Sequence, residues 1–243
     1  MYITRLDHIT LNLTEIYADN LQESFVGFQF SKKLQTIILI NYNHSLVGVN
    51  FPDTLQKLHL YDYSQYLIGV IFPNTLKELS LRNYSKSLID VEFPNALSRL
   101  TLDCCPQCLI VVKFPETLQR LDLYNYSLCL IGVEFPKTLQ RLDLYHYSSC
   151  LIGVQFPESL KELDLFNYTK SLVGVIFPES LQIIHLGYYS ECLIKVQFPH
   201  ELTIIINRLI DDPKFEFIEK KHITNYYTYL KYPRDHFIKP CLN

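Results

Sequence analysis

The 243-residue chain has few glycines, little net charge and no long apolar run. Its 22 Lys and Arg and 25 Asp and Glu give a formal net charge of −3. This balance argues against a nucleic-acid-binding protein, because such proteins usually carry a basic stripe. Apolar runs such as Ile37–Ile40 are far shorter than the ~18 residues of a membrane span. The seven glycines form no Gly-rich phosphate loop. We therefore expect neither a nucleic-acid nor a membrane partner.

The remaining composition is that of a folded protein, with 48% apolar and 19% charged residues. The seven cysteines are an odd number, which favours reduced thiols over a disulfide framework. Residues 1–14 lack the basic segment followed by an apolar segment that marks a secretory signal. These features predict an intracellular protein located in the cytoplasm.

A repeat of 21 residues organises most of the chain. Nine phenylalanines recur at this interval without insertion, and all but the first precede a proline: Phe30, Phe51, Phe72, Phe93, Phe114, Phe135, Phe156, Phe177 and Phe198. Chance does not produce such a register, so the chain contains eight complete units from Phe30 to Gln197. Positions within a unit are called places below and are numbered from its phenylalanine.

Each unit contains one segment with the pattern of a short strand. Places 5, 8 and 10 are leucine or nearly so, and place 13 is tyrosine in seven of the eight units. The alternation around places 8 and 10 is typical of a strand, and 21 residues are too few for a strand and a crossover helix. We therefore predict a mainly β solenoid of 21-residue coils, with parallel in-register strands and little helix.

The return path of the coil is aliphatic at places 17, 18 and 20 and carries Gly at place 19 in five units. Val111 occupies place 19 in another unit, and a β-branched residue tolerates positive φ badly. We therefore expect that Gly relieves crowding at a turn here and that place 19 does not require a left-handed backbone.

The two ends of the chain depart from the repeat. In residues 1–29, Leu6, Ile9 and Leu11 resemble the strand pattern, which predicts an N-terminal cap with a degenerate first repeat. Residues 30–206 form the predicted solenoid of eight full units and a partial ninth. Residues 207–243 break the pattern, and we predict a C-terminal cap because an open solenoid end exposes apolar surface and strand edges. A separate docking tail is the alternative for this segment.

The strand segment resembles the leucine-rich repeat. Leu97, Leu100, Leu102 and Cys105 follow its pattern Leu-x-x-Leu-x-Leu-x-x-(Asn/Cys). The variant resembles the FNIP repeat, a leucine-rich-repeat relative of about 22 residues. Its Phe-Asn-x-Pro-Ile…Gly-Val-Leu-Pro-x-Ser-Leu run resembles Tyr168-Thr169…Leu172…Gly174-Val175…Phe177-Pro178-Glu179-Ser180-Leu181. Here tyrosine replaces phenylalanine, and the unit is one residue shorter.

This resemblance covers residues 30–206 and implies protein–protein interaction without enzymatic activity. FNIP-type proteins occur mainly in amoeboid protists and in the large DNA viruses that infect them. For a viral protein the resemblance therefore implies the cytoplasm of the host.

The cysteines are the residues that could carry chemistry. Four of them occupy place 16, namely Cys108, Cys129, Cys150 and Cys192, and Cys105 with Cys108 forms a CxxC pair. Serines share place 16 in other units, which favours a simple requirement for small side chains. The eight histidines are scattered and would form no triad. We therefore predict no catalytic residue, no metal ligand and no cofactor. A thiol or metal protein using the cysteine column is the least favoured alternative.

Places 7, 9 and 11 should project from the sheet face opposite the leucines. They contain an arginine column (Arg99, Arg120, Arg141), an aspartate column (Asp122, Asp143, Asp164) and an aromatic column (Tyr61, Tyr124, Tyr145, Phe166). These columns are compatible with a charge lattice that keeps the sheet soluble and with a binding surface, since Tyr and Arg often anchor interfaces. For the face as a whole we predict a non-catalytic scaffold that binds a protein partner on a concave sheet. A structural protein that assembles end to end is the alternative.

Overall fold

The computed structural model of the protein describes residues 2–3, 13–189, 191, 193, 195–206 and 223–225. Most of residues 1–12 and of the predicted C-terminal cap at 207–243 lies outside the described residues, and so does Cys192. The two predicted caps therefore stay predictions.

One parallel sheet of 12 strands runs through the described residues in chain order. The strands are β1 (Tyr2–Ile3), β2 (Glu15–Asp19), β3 (Thr36–Ile40), β4 (Lys57–Tyr61), β5 (Glu78–Arg82), β6 (Arg99–Asp103), β7 (Arg120–Tyr124), β8 (Arg141–Asp143), β9 (Glu162–Asp164), β10 (Ile183–Gly187), β11 (Thr203–Ile206) and β12 (Ile223–Asn225). No helix occurs in this part of the chain, and therefore none that could cross a membrane. The prediction of a mainly β solenoid is confirmed.

The strands pair in register because each coil adds 21 residues. Leu58 pairs with Leu79, and Leu79 pairs with Leu100, so equal places lie side by side across the sheet. The leucines of places 8 and 10 point to the same face and are buried in one continuous core. A single coil cannot bury its leucines alone, and the neighbouring coils complete the core.

The tyrosines of place 13 connect neighbouring coils inside the core. Their rings stack with centroids 6.1–6.4 Å apart and planes within 12° of parallel in five neighbouring pairs. Five of their hydroxyls accept the amide of place 17 in the preceding coil, as Tyr168 does from the Leu151 N–H at 3.2 Å. Tyrosine at this place therefore satisfies a buried backbone donor that the sheet leaves unpaired.

The hydroxyls of place 4 form a second connection between coils. Thr75 Oγ1 donates to the Leu55 carbonyl at 2.8 Å, and Ser159 Oγ donates to the Leu139 carbonyl at 2.7 Å. Ala96 occupies place 4 in one coil and cannot make this bond. Sequence reasoning did not identify place 4, whose signal is the recurrence of Thr or Ser before the first leucine.

Place 19 is left-handed, so the expectation that its glycine only relieves crowding is wrong. Gly48, Gly132 and Gly153 have φ values of +81°, +80° and +85°, and Asp90 at the same place has +61°. A Cβ atom at Gly48 would meet nothing within 4 Å, which excludes crowding there. Glycine is favoured because it adopts positive φ without strain. Val111 has no positive φ, so its coil turns differently.

Candidate protein-binding face

All the predicted site residues except Tyr61, which lies on β4, belong to β6–β9 or directly follow these strands. The arginine–aromatic face consists of Arg99, Arg120 and Arg141 at place 7, Asp122, Asp143 and Asp164 at place 9, and Tyr124, Tyr145 and Phe166 at place 11. Arg120 pairs in register with Arg99 and Arg141, and Asp143 pairs with Asp122 and Asp164. The regular register therefore places like residues next to each other in rows across the sheet.

The aspartate row is buried between the other two rows. Asp122 and Asp143 are 0% exposed and Asp164 is 1% exposed. Asp122 accepts from Arg120 Nε at 2.7 Å, from Arg99 Nη2 at 2.9 Å and from Thr101 Oγ1 at 3.0 Å. One buried carboxylate thus holds two arginines from neighbouring coils. The aspartates position the arginines, and the arginines are the residues exposed to solvent.

Asp143 has longer ion-pair distances than Asp122. The Nη2 atoms of Arg120 and Arg141 both lie 3.9 Å from Asp143 Oδ2, and Tyr145 donates its N–H to Asp143 Oδ1 at 3.2 Å. Burial raises the pKa of Asp143 to about 8, with further contributions from the neighbouring carboxylates of Asp164 and Asp122. Burial also raises the pKa of Asp164. A pKa raised in this direction favours the protonated carboxyl of Asp143, which compensates less of the arginine charge than a carboxylate does.

The arginine row is bounded by glutamates at both ends. Arg99 Nη1 lies 3.7 Å from Glu78 Oε1, and Arg141 forms an ion pair with Glu162. The His185 ring lies 2.9 Å from Glu162, and this hydrogen bond together with Arg141 lowers the pKa of Glu162. The side chains of Arg99, Arg120 and Arg141 remain 36%, 29% and 23% exposed. A partner can therefore contact guanidinium groups whose positions the protein already holds.

The aromatic row forms a cluster of four rings. Tyr145 packs edge-on against Tyr124 at 6.2 Å and stacks on Phe166 at 5.1 Å, with planes within 11°. Phe166 in turn contacts the exposed ring of Tyr188 at 5.2 Å. Sequence reasoning missed Tyr188 because it stands at place 12. The available signal was Gly187, which leaves place 11 of that coil without a side chain.

Gly187 makes room for the Phe166 ring. A Cβ atom at Gly187 would lie 2.4 Å from Phe166 Cδ2, closer than real contacts allow, and the glycine has a φ of +44°. The ring therefore lies directly over the backbone of β10. This close approach brings Phe166 to Tyr188 and completes the cluster.

The structure does not bring Tyr61 into this cluster. Arg82 and Asp103 occupy place 11 in the two coils between Tyr61 and Tyr124. The guanidinium carbon of Arg82 lies 5.8 Å from the centre of the Tyr61 ring, and Arg82 Nε donates to Asp103 Oδ2 at 2.7 Å. Tyr61 therefore belongs to a separate group of contacts on the same sheet.

The cysteines of place 16 have a structural role that explains their alternation with serine. Cys129 Sγ accepts the Ile131 N–H at 3.3 Å, as Ser45 Oγ accepts the Val47 N–H at 3.1 Å. The four free cysteines among the described residues are Cys105, which is buried, and Cys108, Cys129 and Cys150, which are exposed. Burial raises the pKa of Cys105 to about 12, which opposes thiolate formation.

Two further observations concern the cysteines. Cys104 is disulfide-bonded, so the expectation of reduced thiols fails at that position. Within the described residues, no group of three or more His, Cys, Asp or Glu side chains is arranged to hold a metal ion.

Comparison with known proteins supports the repeat assignment. Residues 42–83 match the FNIP Repeat family, and residues 122–224 match the family described as the BspA type Leucine rich repeat region (6 copies). No curated protein matches the chain. The resemblance to the FNIP repeat is thus confirmed over residues 42–83, and the resemblance to leucine-rich repeats over residues 122–224.

Two solved structures are similar to this chain. CroV588, described as a novel circular LRR protein, has a TM-score of 0.59 and 17% identity over 85% of this chain and 35% of its own. YopM from Yersinia enterocolitica WA-314 has a TM-score of 0.48 and 19% identity over 81% of this chain and 40% of its own. This chain therefore spans about a third of the length of CroV588, and that likeness shows the fold alone.

Proposed function

We propose that this leucine-rich-repeat solenoid is a non-catalytic scaffold that binds a protein partner through the arginine–aromatic face. The observation that carries the proposal is the row of three arginines, held by buried aspartates, beside a cluster of four packed rings. Arg and Tyr are enriched at interfaces and among the residues that dominate binding energy. Leucine-rich-repeat proteins generally bind protein partners, which supports the class of ligand.

The fixed positions of these side chains favour binding. An arginine that is free in solution loses side-chain entropy when a partner immobilises it, at a cost of about 0.5–1.5 kcal/mol. Arg99 and Arg120 already donate to Asp122, so most of this loss occurs during folding. The stacked rings of Tyr145 and Phe166 are restricted in the same way. The face therefore presents anchors whose ordering cost on binding is small.

The charge of the face indicates the chemistry of the partner. We propose that the raised pKa keeps Asp143 protonated at neutral pH, while the three arginines remain charged. We propose that the partner offers carboxylates to the arginines and an apolar or aromatic side chain to the ring cluster. Such a partner should bind more weakly as the pH rises through 8 and Asp143 ionises.

A double variant of the face tests this proposal. Affinity capture from a lysate of the source cells, followed by mass spectrometry, identifies the partner, and calorimetry then measures its dissociation constant. We expect Arg120→Ala with Tyr145→Ala to weaken binding by more than about 1 kcal/mol, since both side chains would be central anchors. The variant should remain folded by circular dichroism, because neither residue belongs to the leucine core.

The chain offers a matched control outside the face. Tyr66 and Lys86 form a cation–aromatic pair on the return path, with the ammonium 5.4 Å from the ring centre. Tyr66→Ala with Lys86→Ala removes a similar pair of side chains and should leave the affinity unchanged. Equal affinity for the face variant and the wild type, or an equal loss in the control, would contradict the proposal.

End-to-end assembly is the competing function. Its signature is a mass that continues to grow with concentration in light scattering, because open strand edges add further copies. We propose instead that residues 1–29 and 207–243 cap the solenoid of residues 30–206, and that the protein acts in the cytoplasm. Removal of residues 207–243 should then produce growth in mass that the full chain does not show.

A further inference from the structure

An exposed apolar stripe runs along the return side of the solenoid, away from the arginine–aromatic face. It consists of place 18 in eight successive coils, namely Val26, Val47, Ile68, Ile89, Ile110, Ile131, Ile152 and Val173. These side chains are between 38% and 55% exposed, whereas the leucines of place 17 are buried. Every described member is Val or Ile, although a solvent-facing place would tolerate polar residues. Packing inside the coil therefore does not explain why every described residue of the stripe is apolar.

Side chains of the stripe extend toward place 19 of the next coil. Ile131 Cδ1 lies 3.5 Å from where a Cβ atom would stand at Gly153, and Ile110 Cγ2 lies 3.9 Å from the same position at Gly132. Val47 and Ile152 lie 3.9 Å and 4.0 Å from the same position at Gly69 and Gly174, so four stripe side chains lie over the glycine of the next coil. The place-16 side chains hold the stripe backbone, as Ser171 does by accepting the Val173 N–H at 3.1 Å. The result is an ordered ridge of adjacent apolar side chains.

The area of the stripe is close to what a stable pair of proteins requires. Eight half-exposed Val and Ile side chains present on the order of 600 Å² of apolar surface, the upper end for a patch on a monomeric protein. Two such stripes in contact bury roughly 1,200 Å², which reaches the range of specific interfaces. Burial of the stripe alone is therefore sufficient for a dimer.

The spacing of the stripe identifies the partner. Its members repeat with the coils, every ~4.8 Å along the solenoid axis. A helix presents side chains every ~5.4 Å, and a single extended strand presents them every ~6.8 Å on one face, so neither stays in phase over eight coils. A second copy of this chain has the same period along its whole length. We propose that two copies pair side by side through this stripe, in a closed two-fold dimer that leaves both arginine–aromatic faces free.

A pair of aspartate substitutions tests the dimer. We expect the wild type to dimerise in sedimentation equilibrium at micromolar concentrations. Ile110→Asp with Ile131→Asp should weaken dimerisation by at least about tenfold, because it places carboxylates in the centre of the apolar interface. A wild type that remains monomeric at about 100 µM would overturn the proposal. So would a variant that dimerises as tightly as the wild type.

The chain contains a matched control for these substitutions. Ile71 and Ile176 are 80% and 81% exposed, more than any stripe residue, and lie at place 21 beyond the buried valines of place 20. Ile71→Asp with Ile176→Asp should leave the dimer intact. Loss of the dimer in this control would place the interface outside the stripe and would overturn the proposal. The face variant Arg120→Ala with Tyr145→Ala should also remain dimeric.

The salt dependence of the wild type provides a test that needs no variant. The stripe contains no charged side chain, so the dimer should persist from low ionic strength to about 1 M NaCl. Dissociation of the dimer by salt would instead indicate an interface between charged faces and would contradict the proposal. A mass that exceeds the dimer and grows with concentration would contradict the closed two-fold arrangement.

Discussion

The tyrosine of place 13 joins coils through both its ring and its hydroxyl. Tyr168 stacks on Tyr189 with planes 4° apart and accepts the Leu151 amide. Cys105 replaces tyrosine in one coil, and its thiol lies 3.7 Å from the Leu81 carbonyl and 3.6 Å from the Asp103 carbonyl. A cysteine side chain has no ring that can stack, and its thiol does not reach as far as a tyrosine hydroxyl. The coil of β6 therefore lacks the ring stacking that the place-13 tyrosines provide in its neighbours.

Residue Asp143 should make the stability of the protein depend on pH. Its folded-state pKa of about 8 lies above the value of about 3.9 in an unfolded chain. Its contribution to stability is therefore fully present below about pH 4 and is lost as the pH rises through 8. Asp143→Asn removes this loss. We subtract the unfolding free energy of the wild type from that of the variant at each pH. This difference should rise in favour of the variant by more than about 1 kcal/mol from pH 5 to pH 9, as measured by urea denaturation.

The neighbouring Asp122 supplies the control for this measurement. Its carboxylate accepts from Arg99, Arg120 and Thr101 at 2.7–3.0 Å, so Asp122→Asn breaks three close contacts. It should destabilise the protein at both pH values. If Asp143→Asn lost stability equally at pH 5 and pH 9, the protonated carboxyl proposed for Asp143 would be refuted.

The coil is the repeating structural element of this protein. The hydrogen bonding between one coil and the next can be increased by a substitution at place 4. Ala96 lacks the hydroxyl that place 4 normally donates to place 5 of the preceding coil, here the Leu76 carbonyl. We expect Ala96→Thr to raise the unfolding free energy by about 0.5–1 kcal/mol, the net value of one hydrogen bond. The urea midpoint measures the gain. Ala96→Val adds similar volume without the hydroxyl, and an equal gain from it would show that packing is responsible.

The whole molecule should tolerate removal of one complete coil. Deletion of the 21 residues 51–71 leaves every remaining place in register, so β3 can pair with β5. We expect a cooperatively folded protein whose urea m-value falls by about a tenth, in proportion to the surface buried. This deletion removes Tyr61, which lies outside the ring cluster, so partner binding should persist.

A shorter deletion distinguishes register from length. Removal of only ten residues, 51–60, breaks the 21-residue period and shifts apolar side chains toward the solvent face. This variant should lose its cooperative transition in circular dichroism. Equal stability of the two deletions would contradict a solenoid held together by equal places in neighbouring coils.

Much of the fold could be predicted because the same residue pattern recurs in every repeat unit. The leucines of places 8 and 10 predicted the strands, and the 21-residue step predicted their parallel register, both of which are confirmed. The left-handed backbone at place 19 was not predicted, since Val111 gave the impression that positive φ was not required. That inference gave the coil with Val111 more weight than the five coils with glycine. Each coil adopts its backbone conformation separately, so one exception says little about the others.

The candidate site was predictable as a set of columns but not as an arrangement. The sequence indicated Arg, Asp and aromatic columns on one face, and they are indeed adjacent rows there. Tyr188 joined the ring cluster from another place because Phe166 lies over Gly187. Such a contact depends on the shape of the neighbouring coil, which no pattern within a single coil describes.

The amino-acid sequence by itself determined the coil length, the strands and their order, because period and alternation act within a unit and repeat from unit to unit. Only the tertiary structure decided which outward-facing residues are exposed to solvent. Asp143 and Ile131 both stand at places that face away from the leucines, yet one is fully buried and the other is 48% exposed. The difference arises because arginines from adjacent coils cover the aspartates, whereas Ile131 lies over Gly153, which has no side chain to cover it. Burial is a property of neighbouring coils together, so it appears only when the coils are stacked.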